Sequence, residues 1–130
     1  MPKPKNILLL ALTVYLVNWC IFLWGTSVKA WYTATGNSYF HLAGGLLIGL
    51  LIASYYSSQL NKLSQLLKFF CVLGMVIGVG VLWEFHEYVL NNLFGRGFQG
   101  DLSDTILDLL LDTIGGMIAG LYFIRRGNSK

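Results

Sequence analysis

The chain has 130 residues, of which 55% are apolar and 12% are charged, against about 25% charged residues in an ordinary soluble domain. A soluble domain of this length cannot bury so much apolar surface, so the composition favours a membrane protein. It excludes a disordered chain, a disulfide-rich secreted module and a typical nucleic-acid-binding protein, whose basic residues would form a patch instead of being scattered. The six acidic residues, in contrast, all lie after residue 83.

Four stretches of the chain are long and apolar enough to cross a bilayer, which requires about 20 such residues. They run from about Asn6 to Gly25, from Ser38 to Ser57, from Lys68 to Leu90 and from Thr105 to Ile124. No connection between them is long enough to be a folded domain. We therefore predict a single all-α domain over residues 1–130, a polytopic membrane protein with four transmembrane helices and short loops. The connection between the second and third stretches, residues 57–68, is expected to lie along the membrane surface.

The basic residues predict the orientation of these spans, because short cytoplasmic loops carry an excess of Lys and Arg. Seven of the nine lie at the two termini or between the second and third spans: Lys3, Lys5, Lys62, Lys68, Arg125, Arg126 and Lys130. Lys29 and Arg96 lie on the other side. Both termini are therefore predicted to be cytoplasmic, with the first span an uncleaved anchor.

Pairs of glycines four residues apart predict how the helices pack, since small residues let helix backbones approach closely within a bilayer. The pairs are Gly45/Gly49 in the second span, Gly74/Gly78 in the third and Gly116/Gly120 in the fourth. The last two pairs lie toward the predicted cytoplasmic half, so we expect the third and fourth spans to touch there. Their outer halves are expected to separate and leave a cavity, and the first span is expected at the periphery.

The acidic residues fall on restricted faces of the third and fourth spans. Asp101, Asp104, Asp108 and Asp112 lie within about 80° of arc if one helix contains them all. Glu84 and Glu87 are separated by about 60° on the third span. His41 begins the second span on the face that carries Gly45, with Asn37 one turn before it. Three helices are therefore predicted to bring one histidine and up to six carboxylates to the same depth, in an outward-facing cluster in the half of the membrane away from the cytoplasm.

Charged groups are costly inside a bilayer and normally face the interior of a helix bundle. A compact group of carboxylates either shares protons or surrounds a cation. The predicted metal ligands are Glu84, Glu87, Asp101, Asp104, Asp108 and Asp112, an oxygen-rich set that suits Mg²⁺, Mn²⁺ or Ca²⁺. His41 and Glu84 are the candidate catalytic residues.

Structural roles for several of these residues stay open beside the functional ones. Asp101 could cap the fourth span, and Asp104 could favour the positive end of its helix dipole. His41 could be a hydrogen-bonded packing residue. Asp108 and Asp112 lie one and two turns deeper, where capping does not explain them.

Three short motifs carry a resemblance to a known family. They are His41-Leu42-Ala43-Gly44-Gly45, the Glu84/Glu87 pair, and Gln99-Gly100-Asp101-x-x-Asp104-Thr105-x-x-Asp108. Over about residues 37–124 the chain resembles the YjdF-like family of small bacterial inner-membrane proteins and, more distantly, the VanZ-like membrane proteins. The resemblance implies a helical, multi-pass protein of the bacterial cytoplasmic membrane whose acidic motif matters. It supplies no reaction, because the family is functionally uncharacterised, and Asp112 is extra to its pattern.

Three functions are compatible with these residues. The first is a membrane-embedded enzyme acting on a lipid or polyprenyl phosphate, with a divalent cation clamping the phosphate and His41 transferring protons. The second is a cation or proton transporter, in which a homo-oligomer could form the pathway. The third is a small scaffold or accessory subunit. We rank first a membrane protein of unknown activity whose His/carboxylate cluster binds a cation or shares protons, and whether it is an enzyme stays open.

Overall fold

The structure, a computed structural model, describes residues 3–24, 37–95 and 100–127, and every element within those ranges is a helix. The helices are α1 (Pro4–Trp24), α2 (Asn37–Tyr55), the short α3 (Ser57–Leu60), α4 (Gln65–Phe94) and α5 (Leu102–Gly127). Three of them, α2, α4 and α5, are long and apolar enough to cross a membrane. The apolar part of α1, Pro4–Cys20, is shorter, so the fourth span stays a prediction.

Some residues used to predict the orientation lie outside the described residues, namely Lys29, Arg96 and Lys130. The orientation of the termini therefore also stays a prediction. The described part of the chain does establish that α2 and α5 begin, and α4 ends, at the same end of the bundle. We call this the cluster end, because most of the acidic side chains lie there.

Local signals in the sequence set the ends of the long helices. The Ser64 side chain accepts a hydrogen bond from the Leu67 amide at 3.4 Å, and this caps α4 at its start. Gly95 ends α4 in the left-handed conformation, with φ of 62°, which glycine adopts without the steric cost that a side chain imposes. With 30 residues, α4 is about 45 Å long. It begins and ends several residues outside the predicted span.

The buried side chains of each spanning helix form a stripe with a spacing of mainly four residues, which is one face of a helix. The stripe is His41, Gly45, Gly49 and Ala53 on α2, Val72, Val76, Gly80, Glu84 and Glu87 on α4, and Asp108, Asp112, Gly116 and Gly120 on α5. Glycine and alanine make up much of the stripes on α2 and α5, and ionisable residues occupy the cluster end of each stripe. Large apolar side chains on the other faces are exposed, as expected for surfaces that contact lipid.

Backbone contact between α2 and α5 holds the centre of the bundle. A Cβ atom on Gly45 would lie only 2.7 Å from the Cα of Asp112. A Cβ atom on Gly115 would lie 2.5 Å from the backbone nitrogen of Leu46. Real Cβ atoms do not approach this closely, so glycine is required at both positions. The approach places Asp112 directly against the start of α2.

The predicted role of one glycine pair is wrong. Gly74 and Gly78 face away from the bundle, and an added Cβ would meet no described atom within 4 Å. In the contact between α4 and α5, Gly116 packs against Val76 and Gly120 against Phe69, and on α4 it is Gly80 that packs against α5, at Asp112. The sequence pattern could not distinguish these cases, because a glycine pair has the same spacing on a buried face and on a lipid-facing one.

The connection between the second and third spans packs its leucines against the bundle, and its position relative to the membrane surface stays a prediction. Leu60 is 4% exposed and packs in an apolar cluster with Ala53, Val72 and Phe123, with Leu63 against its edge. The connection is therefore folded onto the end of the bundle opposite the cluster end, where its leucines cover the apolar core.

Val76 fills the space between the glycines of α2 and α5, so its truncation should destabilise the bundle. The side chain is 1% exposed, and its methyl groups lie under both Gly49 and Gly116. We expect V76A to lower the free energy of unfolding by about 2 kcal/mol, because the residues that surround the resulting cavity lose their contacts with the removed methyl groups. V81A, at a 38% exposed position on the same helix, should change it little. Unfolding in a titration with SDS measures both, and equal stability of the two variants would contradict this packing.

Candidate functional site

A buried group of ionisable side chains lies at the cluster end of the bundle. It contains His41 from α2, Glu84 and Glu87 from α4, and Asp108 and Asp112 from α5, and we call these five residues the polar cluster. Their exposed fractions are between 1% and 7%. In the structure these side chains are enclosed by the three spanning helices, and the side of the membrane on which they lie stays a prediction.

The helix stripes explain why these residues meet. Each polar residue continues a buried stripe that consists of small or apolar residues nearer the bundle centre. Gly80 makes room for Asp112, whose Oδ2 lies 2.8 Å from the position of an added Cβ. The same close helix packing that buries the glycines therefore also buries the carboxylates.

His41 lies between the two aspartates of α5. Its Nδ1 is 3.2 Å from Oδ2 of Asp112, and its Nε2 is 3.4 Å from Oδ2 of Asp108. Asn37, one turn earlier on α2, donates a hydrogen bond of 2.8 Å from Nδ2 to the same Asp108 oxygen. Since a neutral imidazole has only one N–H, both histidine contacts are attractive only if a second proton lies on the ring or on one of the carboxyl groups.

The two glutamates approach His41 from α4. A ring nitrogen of His41 and one carboxylate oxygen each from Glu84 and Glu87 all lie within 4.8 Å of one another. Trp83 donates a hydrogen bond of 2.8 Å from Nε1 to Oε1 of Glu87, and this fixes the orientation of that carboxylate. We call His41, Glu84 and Glu87 the ligand triad.

Two buried carboxylate oxygens have no hydrogen-bond partner among the described residues. They are Oε1 of Glu84 and Oδ1 of Asp108, on side chains that are 7% and 1% exposed. An acceptor left unsatisfied in this way costs about 1–3 kcal/mol, and more for a charged group. Each of these atoms therefore requires a partner, which a proton, a water molecule or a cation can provide.

The donor set fits a hard divalent cation. Oxygen ligands bind Mg²⁺ at 2.0–2.1 Å and Ca²⁺ at 2.3–2.6 Å, so two ligands of one ion are at most about 4–5 Å apart. The donor atoms of the ligand triad all lie within 4.8 Å of one another, which is compatible with this limit. Three protein ligands leave further coordination positions open for water or for an oxygen-containing ligand.

Four of the six predicted metal ligands lie outside the ligand triad. Asp108 and Asp112 belong to the polar cluster, whereas Asp101 and Asp104 lie outside it. Asp101 is exposed, and its Oδ1 accepts a hydrogen bond of 3.0 Å from the Asp104 amide, so it caps α5. Asp104 is half-buried in the first turn and interacts electrostatically with Glu84 and Asp108. Of the two roles that the sequence left open for Asp101, the structure supports the cap.

Two neighbours of the cluster were not assigned a role from the sequence. The spacing of four residues between Trp83 and Glu87 puts both on one helix face, and this is the signal that could have identified Trp83. Thr105, whose side chain hydrogen-bonds Glu84, lies within the third motif but carries no distinctive signal. Asn37 was placed on the face of His41, and the structure adds its contact with Asp108.

The cap at Asp101 can be tested separately from the cluster. D101A should lower the free energy of unfolding by about 1 kcal/mol, because the first turn of α5 loses an acceptor for its amide groups. D101N should lower it by only a few tenths, since asparagine caps equally well. Thermal unfolding of the purified protein in detergent measures both. Equal destabilisation by the two substitutions would instead assign the effect to the lost charge.

An apolar groove adjoins the polar cluster. It has a volume of about 270 Å³ and lies between α1, α2 and α4, lined by Leu8 to Asn18 of α1, Asn37 to Leu51 of α2 and Val76 to Trp83 of α4. The sequence predicted a cavity between the third and fourth spans, whereas α5 contributes only Asp112 to this one. The polar lining residues Asn18, Asn37, His41 and Asp112 lie at the cluster end, so the groove and the polar cluster share His41 and Asp112.

Comparisons with known proteins agree with the membrane character of the helices. No curated protein and no solved structure matches the chain significantly. The sequence model of a family described as "Predicted membrane protein (DUF2238)" matches residues 7–129. The match includes the three long apolar helices and every residue of the polar cluster. The chain therefore belongs to this family of predicted membrane proteins, DUF2238.

Proposed function

We propose that this protein is a cation-binding membrane protein in which His41, Glu84 and Glu87 hold one divalent cation. The observation that carries the proposal is the ligand triad itself, three buried side chains whose donor atoms lie within 4.8 Å of one another. The unpartnered Oε1 of Glu84 supports it, because a cation would satisfy that atom. Carboxylate oxygens with one imidazole favour Mg²⁺, Mn²⁺ or Ca²⁺ over metals that prefer thiolates.

Asp108 and Asp112 have a supporting role in this proposal. Both contact the ring of His41, and a carboxylate that accepts the N–H of a metal-bound histidine orients the ring and makes it a stronger ligand. The cation would use one ring nitrogen, and the aspartate at the other nitrogen would hold the proton. The remaining aspartate would help to balance the charge of the ion.

Binding of Mn²⁺ to the purified protein tests the ligand triad. We expect E84Q and E87Q each to weaken binding by at least tenfold, because each removes a charged ligand from a set of three. D101N is the matched control, since it removes one carboxylate at the same end of the bundle and keeps the cap. Isothermal titration with Mn²⁺, Mg²⁺ and Ca²⁺ gives the affinities, and an equal loss in D101N and E84Q would contradict the proposed ligands.

A proton pathway is a second candidate function, and the chain of contacts through His41 favours it. Asn37, Asp108, His41 and Asp112 follow one another at 2.8, 3.4 and 3.2 Å, as in the carboxylate–histidine relays of membrane transporters. Proteoliposomes containing a pH-sensitive dye would detect proton flux under an imposed voltage. Flux that disappears in D112N and persists in D101N would favour this candidate over a fixed cation site.

The cellular setting is proposed on the sequence alone. The excess of basic residues at the termini supports cytoplasmic termini, and the YjdF-like resemblance supports the bacterial cytoplasmic membrane. A four-span, single-domain arrangement follows if α1 also crosses the bilayer. Lipid is then the obligatory partner, and a homo-oligomer remains compatible with the exposed apolar faces.

A further inference from the structure

The groove between α1, α2 and α4 is elongated along the helix axes. Its lining on α2 runs from Asn37 to Leu51, which corresponds to about 21 Å at 1.5 Å per residue. Along this length its lining is almost entirely apolar until the cluster end, where Asn18, Asn37, His41 and Asp112 converge. A molecule that fits must therefore be long and apolar, with a polar group at one end only.

The lining of the groove suits a single hydrocarbon chain. Its apolar lining residues include Leu8, Leu12, Leu47, Ile48 and Leu51. A chain of carbon atoms can pack against such side chains at about 4 Å.

The polar end of the groove meets the proposed cation site. His41 lines the groove and also belongs to the ligand triad. Three protein ligands leave coordination positions open, and divalent cations of this kind commonly complete their coordination with phosphate oxygens. The carbonyl oxygen of Asn18 also lines this end and has no partner among the described residues, so it can accept a hydrogen bond from a hydroxyl group of the ligand.

We propose that the groove binds a lipid phosphate, with one hydrocarbon chain between α1, α2 and α4 and the phosphate group at the cation held by His41, Glu84 and Glu87. This inference rests on the proposed cation site. Without the cation, the buried carboxylates of the cluster would repel a phosphate group, so binding of the lipid should require the metal. The hydrocarbon tail of the lipid gains little from the hydrophobic effect when it moves from the bilayer into the groove. Specificity therefore comes from the fit of the tail in the groove and from the contacts of the phosphate head group.

Gly44 offers a way to fill the groove without disturbing the packing of the bundle. It lines the groove, and an added Cβ would meet only Oδ1 of Asp112, at 4.0 Å. G44L should therefore place a side chain in the path of the lipid chain. A11F fills the groove from the opposite wall on α1 and serves as an independent variant. G78L is the matched control, because an added Cβ there meets no described atom within 4 Å and Gly78 does not line the groove.

The experiment is native mass spectrometry of the full chain released from detergent micelles. Hexadecyl phosphate is the probe, with inorganic phosphate and hexadecanol as the head-group and chain controls. We expect one hexadecyl phosphate per chain in the wild type and in G78L when Mn²⁺ is present. Binding should be at least tenfold weaker in G44L, in A11F and after removal of Mn²⁺, and both controls should bind at least tenfold more weakly than hexadecyl phosphate.

Several outcomes would overturn the inference. One is wild-type affinity for hexadecyl phosphate in both G44L and A11F, and another is binding of inorganic phosphate as tight as that of hexadecyl phosphate. Undiminished binding of hexadecyl phosphate without Mn²⁺ would also contradict the inference, as would a dimer of the chain that G44L disrupts. If Mn²⁺ binds stoichiometrically and hexadecyl phosphate does not, the lipid inference fails and the cation site stands. If Mn²⁺ itself does not bind, the proposed function fails as well.

Discussion

Replacing Gly45 by leucine is expected to prevent the bundle from folding. The position has no room for any side chain, since an added Cβ would lie 2.7 Å from the Cα and 2.8 Å from the carbonyl carbon of Asp112. These are backbone atoms of α5, so the two helices must separate to accommodate even alanine. We expect G45L to lose about 3 kcal/mol or more of stability, and to be recovered largely as aggregate. Size-exclusion chromatography and unfolding in SDS measure the effect.

Gly74 provides the control for this substitution. It is also in a transmembrane helix and also belongs to a pair of glycines four residues apart, but an added Cβ would meet no described atom within 4 Å. G74L should fold as well as the wild type, or slightly better, because leucine favours a helix more than glycine does. If G45L and G74L unfold at the same fraction of SDS, the close approach of α2 and α5 is contradicted.

Replacing His41 by glutamine is expected to cost about 3–5 kcal/mol in the metal-free protein, because it removes the partner of two buried carboxylates. Asp108 and Asp112 are 1% and 6% exposed, and the ring of His41 contacts the carboxylate groups of both. Glutamine retains a similar size and one amide donor, so the loss reports on charge and hydrogen bonding more than on volume. Unfolding in SDS with EDTA present gives the free energy.

A second substitution distinguishes electrostatic loss from simple damage to the core. In the H41Q background, D108N should recover at least half of the lost stability, because it neutralises a carboxylate that no longer has a cationic partner. D101N should recover nothing, since Asp101 is exposed and caps α5. Strictly additive effects of H41Q and D108N would show that the two side chains do not interact.

Much of the core arrangement follows from helix geometry, and the sequence was sufficient for it. The four-residue spacing of His41, Gly45 and Gly49 predicted one buried face of α2, and that face packs against α5. The depth of Asp108 and Asp112 excluded capping as an explanation for either residue, and both are buried. In these cases the helical period and the free-energy cost of a charge in lipid both predict a buried position.

Other features depend on which faces of neighbouring helices pack together, and the helical period of the sequence does not encode this. The pairs Gly74/Gly78 and Gly116/Gly120 look alike in sequence, but only the second contacts another helix. Which carboxylates reach His41 depends on the rotation of α4 relative to α5. In the structure Glu84 and Glu87 lie beside His41, and Asp101 and Asp104 do not. The groove arises from the position of α1, which has no charged or small-residue stripe to predict it.

The most direct test of the cation site is the electron paramagnetic resonance spectrum of the purified protein loaded with Mn²⁺. The ligand triad predicts one bound Mn²⁺ per chain, with a hyperfine coupling to the ¹⁴N of a single imidazole, His41. The coupling arises only if the nitrogen binds the ion directly, so it reports on the ligand itself. A spectrum without stoichiometric Mn²⁺, or with bound Mn²⁺ that shows no nitrogen coupling, would contradict the proposed site.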